Sequence, residues 1–121
     1  MRRLSVSIAA AALAIAGTVN AHPKLVSASP APNATVSKPA RVELHFSEKL
    51  MPAFSKADLM MAATKGRPPA KFASTATVAP DGRTLVVTPK GQLRPGRYNI
   101  AWRVVSMDTH RVAGSYAFAV K

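Results

Sequence analysis

The chain has 121 residues, with 17 Lys and Arg against 5 Asp and Glu, a formal net charge of +12, 10 Pro, 6 Gly and no cysteine. One domain fits in that length, and 48% hydrophobic against 18% charged residues is the composition of a chain that folds around a core. The missing cysteines exclude disulfides, thiolate zinc sites, iron–sulfur clusters and a cysteine nucleophile, so any chemistry falls to His, carboxylate, Met or the backbone.

Residues 1–21 read as an export signal. Arg2 and Arg3 make a positive start, Val6 to Ala16 is apolar apart from Ser7, and Thr18-Val19-Asn20-Ala21 ends on small residues, the pattern of a secretory signal peptide cut after Ala21. A spanning helix needs roughly 20 apolar residues, so the processed chain is expected not to span a membrane; a retained anchor is the alternative. Cleavage removes Arg2 and Arg3 and leaves 22–121, 100 residues with 15 basic and 5 acidic side chains, a net charge of +10. Clustered cations suit nucleic acid, but a periplasmic protein does not meet it. The expected location is therefore periplasmic, with no nucleic-acid partner, and the basic excess faces an anionic envelope or serves solubility. The same cut makes His22 the first residue, its free α-amine beside its imidazole, with Pro23 second.

From Lys24 onward, period-2 alternation recurs in short runs separated by Pro, Gly, Asn or Asp, and no 3.6-residue period is sustained. Strands are expected, in order, at Lys24 to Ser29, Arg41 to Phe46, Asp58 to Ala63, Lys71 to Val78, Thr84 to Thr88, around Tyr98 to Val104, and at Tyr116 to Val120. Phe54 to Ala57 suits one short helical turn. Lys65-Gly66-Arg67-Pro68-Pro69 is a basic loop that cannot pair in a central strand. Ala79-Pro80-Asp81-Gly82 is a turn. About seven short strands in 100 residues point to an all-β sandwich.

The histidines are His22, His45 and His110. His45 lies on the polar face of an alternating strand beside Glu43, an ordinary solvated or cross-strand-paired position. His110 belongs to Met107-Asp108-Thr109-His110, and in extended backbone Asp108 and His110 point to one side. Alone, that spacing fits a turn carboxylate beside a hydrogen-bonded histidine as well as it fits a ligand pair. The processed terminus adds a second element: the α-amine and imidazole of His22 form a chelating pair, which with His110 nitrogen and Asp108 oxygen gives three nitrogens and one oxygen. Tetragonal coordination by such a set is what Cu(II) or Ni(II) prefers, and Cu(II) tops the affinity order. Pro23 has no N–H to become an amidate ligand, so the terminus must complete its coordination elsewhere in the fold. Because the ligands must shed protons to bind, affinity is expected to fall in acid.

Taken together, His22-Pro23-Lys24-Leu25-Val26-Ser27, Val42-Glu43-Leu44-His45-Phe46-Ser47-Glu48, Tyr98 through Ser106, Asp108-Thr109-His110 and Gly114-Ser115-Tyr116-Ala117-Phe118 resemble the CopC family of periplasmic copper-binding proteins. The resemblance spans residues 22–121 and implies a Greek-key, immunoglobulin-like β-sandwich that binds one Cu(II) per chain through His22, Asp108 and His110. It places Glu48 near that site, orienting a ligand or a water; a solvated residue after a strand is the plainer account. Some members carry a Cu(I) site in a Met-rich loop with a histidine. Here Met51, Met60 and Met61 remain, but the basic loop at 65–69 stands where more Met and His belong, and Met60 and Met61 alternate to opposite faces. No Cu(I) site is expected, and Met107 is expected to pack.

The resemblance implies copper sequestration or resistance, or delivery to an inner-membrane copper transporter of the CopD type. Two other readings stand beside it. An N-terminal histidine on copper is also the centre of oxidative polysaccharide-cleaving enzymes, but those are larger and carry an aromatic-rich face, whereas most of the 4 Phe, 2 Tyr and 1 Trp here lie on alternating core faces. A metal-free immunoglobulin-like interaction module would make Asp108 and His110 structural. The expectation is a binding protein and not an enzyme.

Overall fold

The structure, a computed structural model, describes residues 22–121; the export signal expected over 1–21 lies outside the described residues. Among these, nine strands form two sheets: β1 (Leu25–Ser29), β2 (Thr35–Val36), β3 (Val42–Phe46), β4 (Lys56–Met61), β5 (Ala70–Phe72), β6 (Ser74–Val78), β7 (Thr84–Pro89), β8 (Gly96–Val105) and β9 (Arg111–Val120). One sheet has the order β1-β3-β7-β6 and the other β2-β9-β8-β4-β5. Every pairing is antiparallel except that of β2 with β9. The chain thus builds the expected all-β sandwich, with consecutive strands crossing repeatedly between the sheets. None of its described helices is long and apolar enough to cross a membrane.

The core follows from the alternation. Val42, Leu44 and Phe46 of β3 face Tyr98, Ile100, Trp102 and Val104 of β8 across the sandwich, all buried. Each such side chain contributes about 1.5–3 kcal/mol. Phe46 and Tyr116 both meet Trp102, with ring centroids 6.1 and 6.0 Å away. Gly114 lies opposite Trp102 in the β8–β9 ladder, and a Cβ there would come within 2.5 Å of the indole. Glycine is what lets the tryptophan lie flat on β9.

The strand pattern departs from expectation in places with local causes. β2 is only two residues long, too short to alternate, and is held to β9 by main-chain bonds that flank it. The run at 71–78 is two strands, because the chain changes sheet at Ala73: β5 pairs with β4, and β6 pairs with β7. Alternation continues through the break, so periodicity does not reveal it. The helical turn lies at Pro52–Phe54, two residues before the place expected, and Lys56 and Ala57 already belong to β4. Proline suits a helix's first turn, where its missing N–H costs nothing.

The longest hairpin, β8–β9, runs in register from Gly96 opposite Val120 to Val105 opposite Arg111. Its connection, Ser106 to His110, therefore lies at one end of the sandwich.

Candidate metal centre

The connection is a tight turn. Thr109 N–H donates to the Ser106 carbonyl at 2.8 Å, Ser106 N–H donates to the His110 carbonyl at 2.9 Å, and Met107 N–H reaches across to the Lys49 carbonyl at 2.9 Å. Thr109 is held at φ 72°, a left-handed conformation costly for a β-branched residue. Extended backbone does not bring Asp108 and His110 together, as alternation would have it. The turn does so instead, leaving His110 Nδ1 3.1 Å from Asp108 Oδ1.

Beneath the pair lies Ser106, buried to 1% exposure. Its hydroxyl donates to the same Asp108 Oδ1, and its oxygen accepts the His110 N–H at 3.2 Å. The Ser106 hydroxyl, and after it the His110 ring, hold the Asp108 carboxyl below the ordinary carboxylate range, so it is an acceptor throughout the neutral range. With Oδ1 engaged, Oδ2 is uncommitted. With Nδ1 turned to Asp108, His110 presents Nε2 outward. Sequence reading missed Ser106; its signal was the spacing Ser-x-Asp-x-His, in which a hydroxyl can serve both later residues from inside the turn.

His22 arrives from the other sheet. Pro23 is fully buried, Lys24 N–H donates to Ser47 Oγ at 2.9 Å, and Ser47 N–H donates to the Lys24 carbonyl at 2.8 Å, which fixes the main chain just after His22. The His22 ring stands edge-on to His110, centroids 4.8 Å apart at 76°. His110 is thus the shared member, with Asp108 at one nitrogen and the His22 ring against it. All three side chains are open to solvent. Among the described residues no three His, Asp or Glu side chains form a ready metal cage, and a full donor set needs a main-chain donor as well.

Glu48 is half-buried and makes no ion pair with a described residue. It lies between Ser47, bonded to Lys24, and Lys49, bonded to Met107, so its backbone bridges the two segments that carry His22 and Asp108. His45 is elsewhere: its Nδ1 is 2.9 Å from Thr84 Oγ1 and its Nε2 3.6 Å from Glu43, the cross-strand pairing expected of it. Met61 packs against the core, while Met60, just before it on β4, has the opposite alternation. Met107 does not pack as expected; the turn turns it outward, 60% exposed.

Comparison with known proteins agrees with this architecture. The family model described as "CopC domain" matches residues 25–121. Copper resistance protein C of Xanthomonas campestris pv. juglandis is 50% identical over 119 residues, covering 97% of this chain and 93% of that protein. Copper resistance protein C of Pseudomonas syringae pv. tomato is 43% identical over 118 residues, covering 96% and 94%. Among solved structures, that of PcoC, a methionine-rich copper resistance protein from Escherichia coli, superposes with a TM-score of 0.78 at 39% identity, covering 84% of this chain and all of that one.

Proposed function

The chain belongs to the CopC family, and from that premise we propose that it is an exported copper-resistance protein that carries one Cu(II) at the end of its sandwich. The α-amine and imidazole of His22, the Nε2 of His110 and an oxygen of Asp108 form the binding set. What supports this most directly is the meeting of the His22 ring with His110 while the Asp108 carboxylate lies at Nδ1 of the same imidazole. Three nitrogens and one oxygen suit Cu(II) among divalent ions. The Asp108–His110 contact keeps the two ligands adjacent; because the two ring nitrogens point apart, Asp108 joins an ion bound at Nε2 by exchanging this contact for the metal. Glu48 stands behind the site and orients a ligand or a water. The basic loop at 65–69 and the split faces of Met60 and Met61 leave no Cu(I) site.

Carriage suits the surface better than oxidation does. Phe46, Tyr98, Trp102 and Phe118 are buried, and Phe54 is the only exposed aromatic large hydrophobe among the described residues, so no aromatic platform lies beside the site for a polysaccharide. Periplasmic copper, held here, would pass to or from an inner-membrane transporter of the CopD type.

The terminal amine supplies the test. Protein beginning at His22 should bind one Cu(II) with nitrogen hyperfine structure in its EPR spectrum, and protein retaining Ala21 before His22 should bind far more weakly. Equal affinity for the two forms overturns the assignment.

A further inference from the structure

The β9 strand is longer than what pairs with its outer side. β2 covers it only at Ala119 and Val120, with one further bond from Asn33 N–H to the Ala117 carbonyl. Odd-numbered residues of β9 turn their N–H and C=O groups to that side: the Ala117 carbonyl accepts from Asn33 and the Ala119 N–H donates to Ala34. By the same alternation the main-chain groups of Arg111, Ala113 and Ser115 point outward, and no described residue pairs with them. All three residues are exposed. An unpaired row of this kind is a template for another strand.

From this edge we infer that β9, over Arg111 to Ser115, is the docking site for an extended acidic segment of a partner protein, added as a sixth strand beside the metal end of the sandwich. Charge selects the occupant. Arg111 stands on the edge with no ion pair to a described residue and is the cation available to an acidic segment; Arg103, across from Ala113, is already paired with Asp58. Two copies of a body at +10 would set like charges together in the same register, which disfavours a second copy of this chain. The other free edges are less suited: β1 is broken by a bulge between Leu25 and Ser27, β5 has three residues, and β6 carries no charge along Ser74–Val78. Ala113 and Ser115 are small, and a cleft of about 600 Å³ opens beside Ala113 between Phe54 and Arg111, where the added strand's outward side chains can lie. The edge begins one residue after His110, so a partner seated there lies beside the metal centre. The assignment itself does not depend on copper.

A peptide titration of metal-free, 15N-labelled protein tests it, using an acetylated, amidated Glu-Val-Glu-Val-Glu-Val peptide and its Lys-Val counterpart. The acidic peptide should slow hydrogen exchange at the Ala113 and Ser115 amides and bind about tenfold or more tightly than the basic one. Ala113→Pro removes an outward N–H without touching the β8 ladder and should abolish that protection, and Arg111→Glu should reverse the preference between the peptides. If Ala113→Pro does not fold, an acidic peptide N-methylated at alternate residues should lose binding to the unaltered protein. Shifts spread over surface lysines without protection at residues 113 and 115, protection produced by raising protein concentration alone, or binding undiminished by the proline or by peptide N-methylation would each overturn the proposal.

Discussion

Ser106 decides how well Asp108 and His110 are held. Its hydroxyl donates to the Asp108 carboxylate and its oxygen takes the His110 main-chain N–H, so one buried side chain sets both residues. Ser106→Ala should leave the strands intact but weaken Cu(II) binding about tenfold, the usual consequence of losing a group that orients a metal ligand. Titration against a competing chelator, with circular dichroism to confirm the fold, reads this directly; unchanged affinity would show that the turn alone holds the pair. That His22, Asp108 and His110 could form a donor set was proposed from residue type and from the expected cleavage after Ala21, and the fold brings these three side chains together. Ser106 was not, because a buried serine inside a turn has no periodicity and looks like any other strand-end residue. The route by which Asp108 meets His110 was also hidden. Alternation suggests a shared strand face, whereas Thr109 at positive φ closes a turn that periodicity does not encode.

The strands were legible where alternation ran for five residues or more and the strand kept the same neighbours throughout, as in β3 and β8. It failed at β2, two residues long, and at the sheet change around Ala73, where the pattern is continuous although the pairing is not. The closest tolerance in the hairpin that carries the site is between Gly114 and Trp102. Gly114→Ala places a Cβ within 2.5 Å of the indole and should destabilise the fold by about 1–3 kcal/mol. Combining it with Trp102→Leu should cost less than the sum of the two changes, a non-additivity that denaturant unfolding would measure. A second tie crosses the same sheet: Asp58 of β4 meets Lys71 of β5 at 3.1 Å and Arg103 of β8 at 3.3 Å. The Lys71 bond first, and Arg103 with it, lower the Asp58 pKa below its ordinary value. A carboxylate lowered in the folded state stabilises the fold above its unfolded pKa and loses that contribution as pH falls through the folded one. Asp58→Asn should therefore cost at most about 1 kcal/mol at neutral pH, since the pair is partly exposed, and the difference from the parent should begin to shrink below about pH 4 and vanish only once pH is under the lowered folded pKa. A difference that grows in acid would reverse the sign and refute the pairing.

The proposed metal centre lies where the two sheets come together. His22 heads β1 in the four-stranded sheet, and His110 immediately precedes β9 in the five-stranded one. The two strands are linked again where the Tyr116 hydroxyl, midway along β9, donates to the Pro30 carbonyl just past β1 at 2.6 Å, and burial raises the Tyr116 pKa to about 12. Between these points β1 and β9 belong to different sheets, with no ladder joining them. An ion held by His22 and His110 together would clasp the sandwich along the side where no main-chain ladder does so. Unfolding would have to release it, so binding adds to global stability according to how far copper exceeds its dissociation constant. At a hundredfold excess the gain is about 2.7 kcal/mol, which for a domain of this size raises Tm by about 10–20 °C. The same copper added to protein retaining Ala21 should raise Tm far less, because His22 then has no free α-amine with which to chelate beside His110. Thermal unfolding of the two forms, each with and without Cu(II), distinguishes a clasp from adventitious binding at exposed histidines. Adventitious binding would shift both forms equally, whereas a clasp requires the processed terminus.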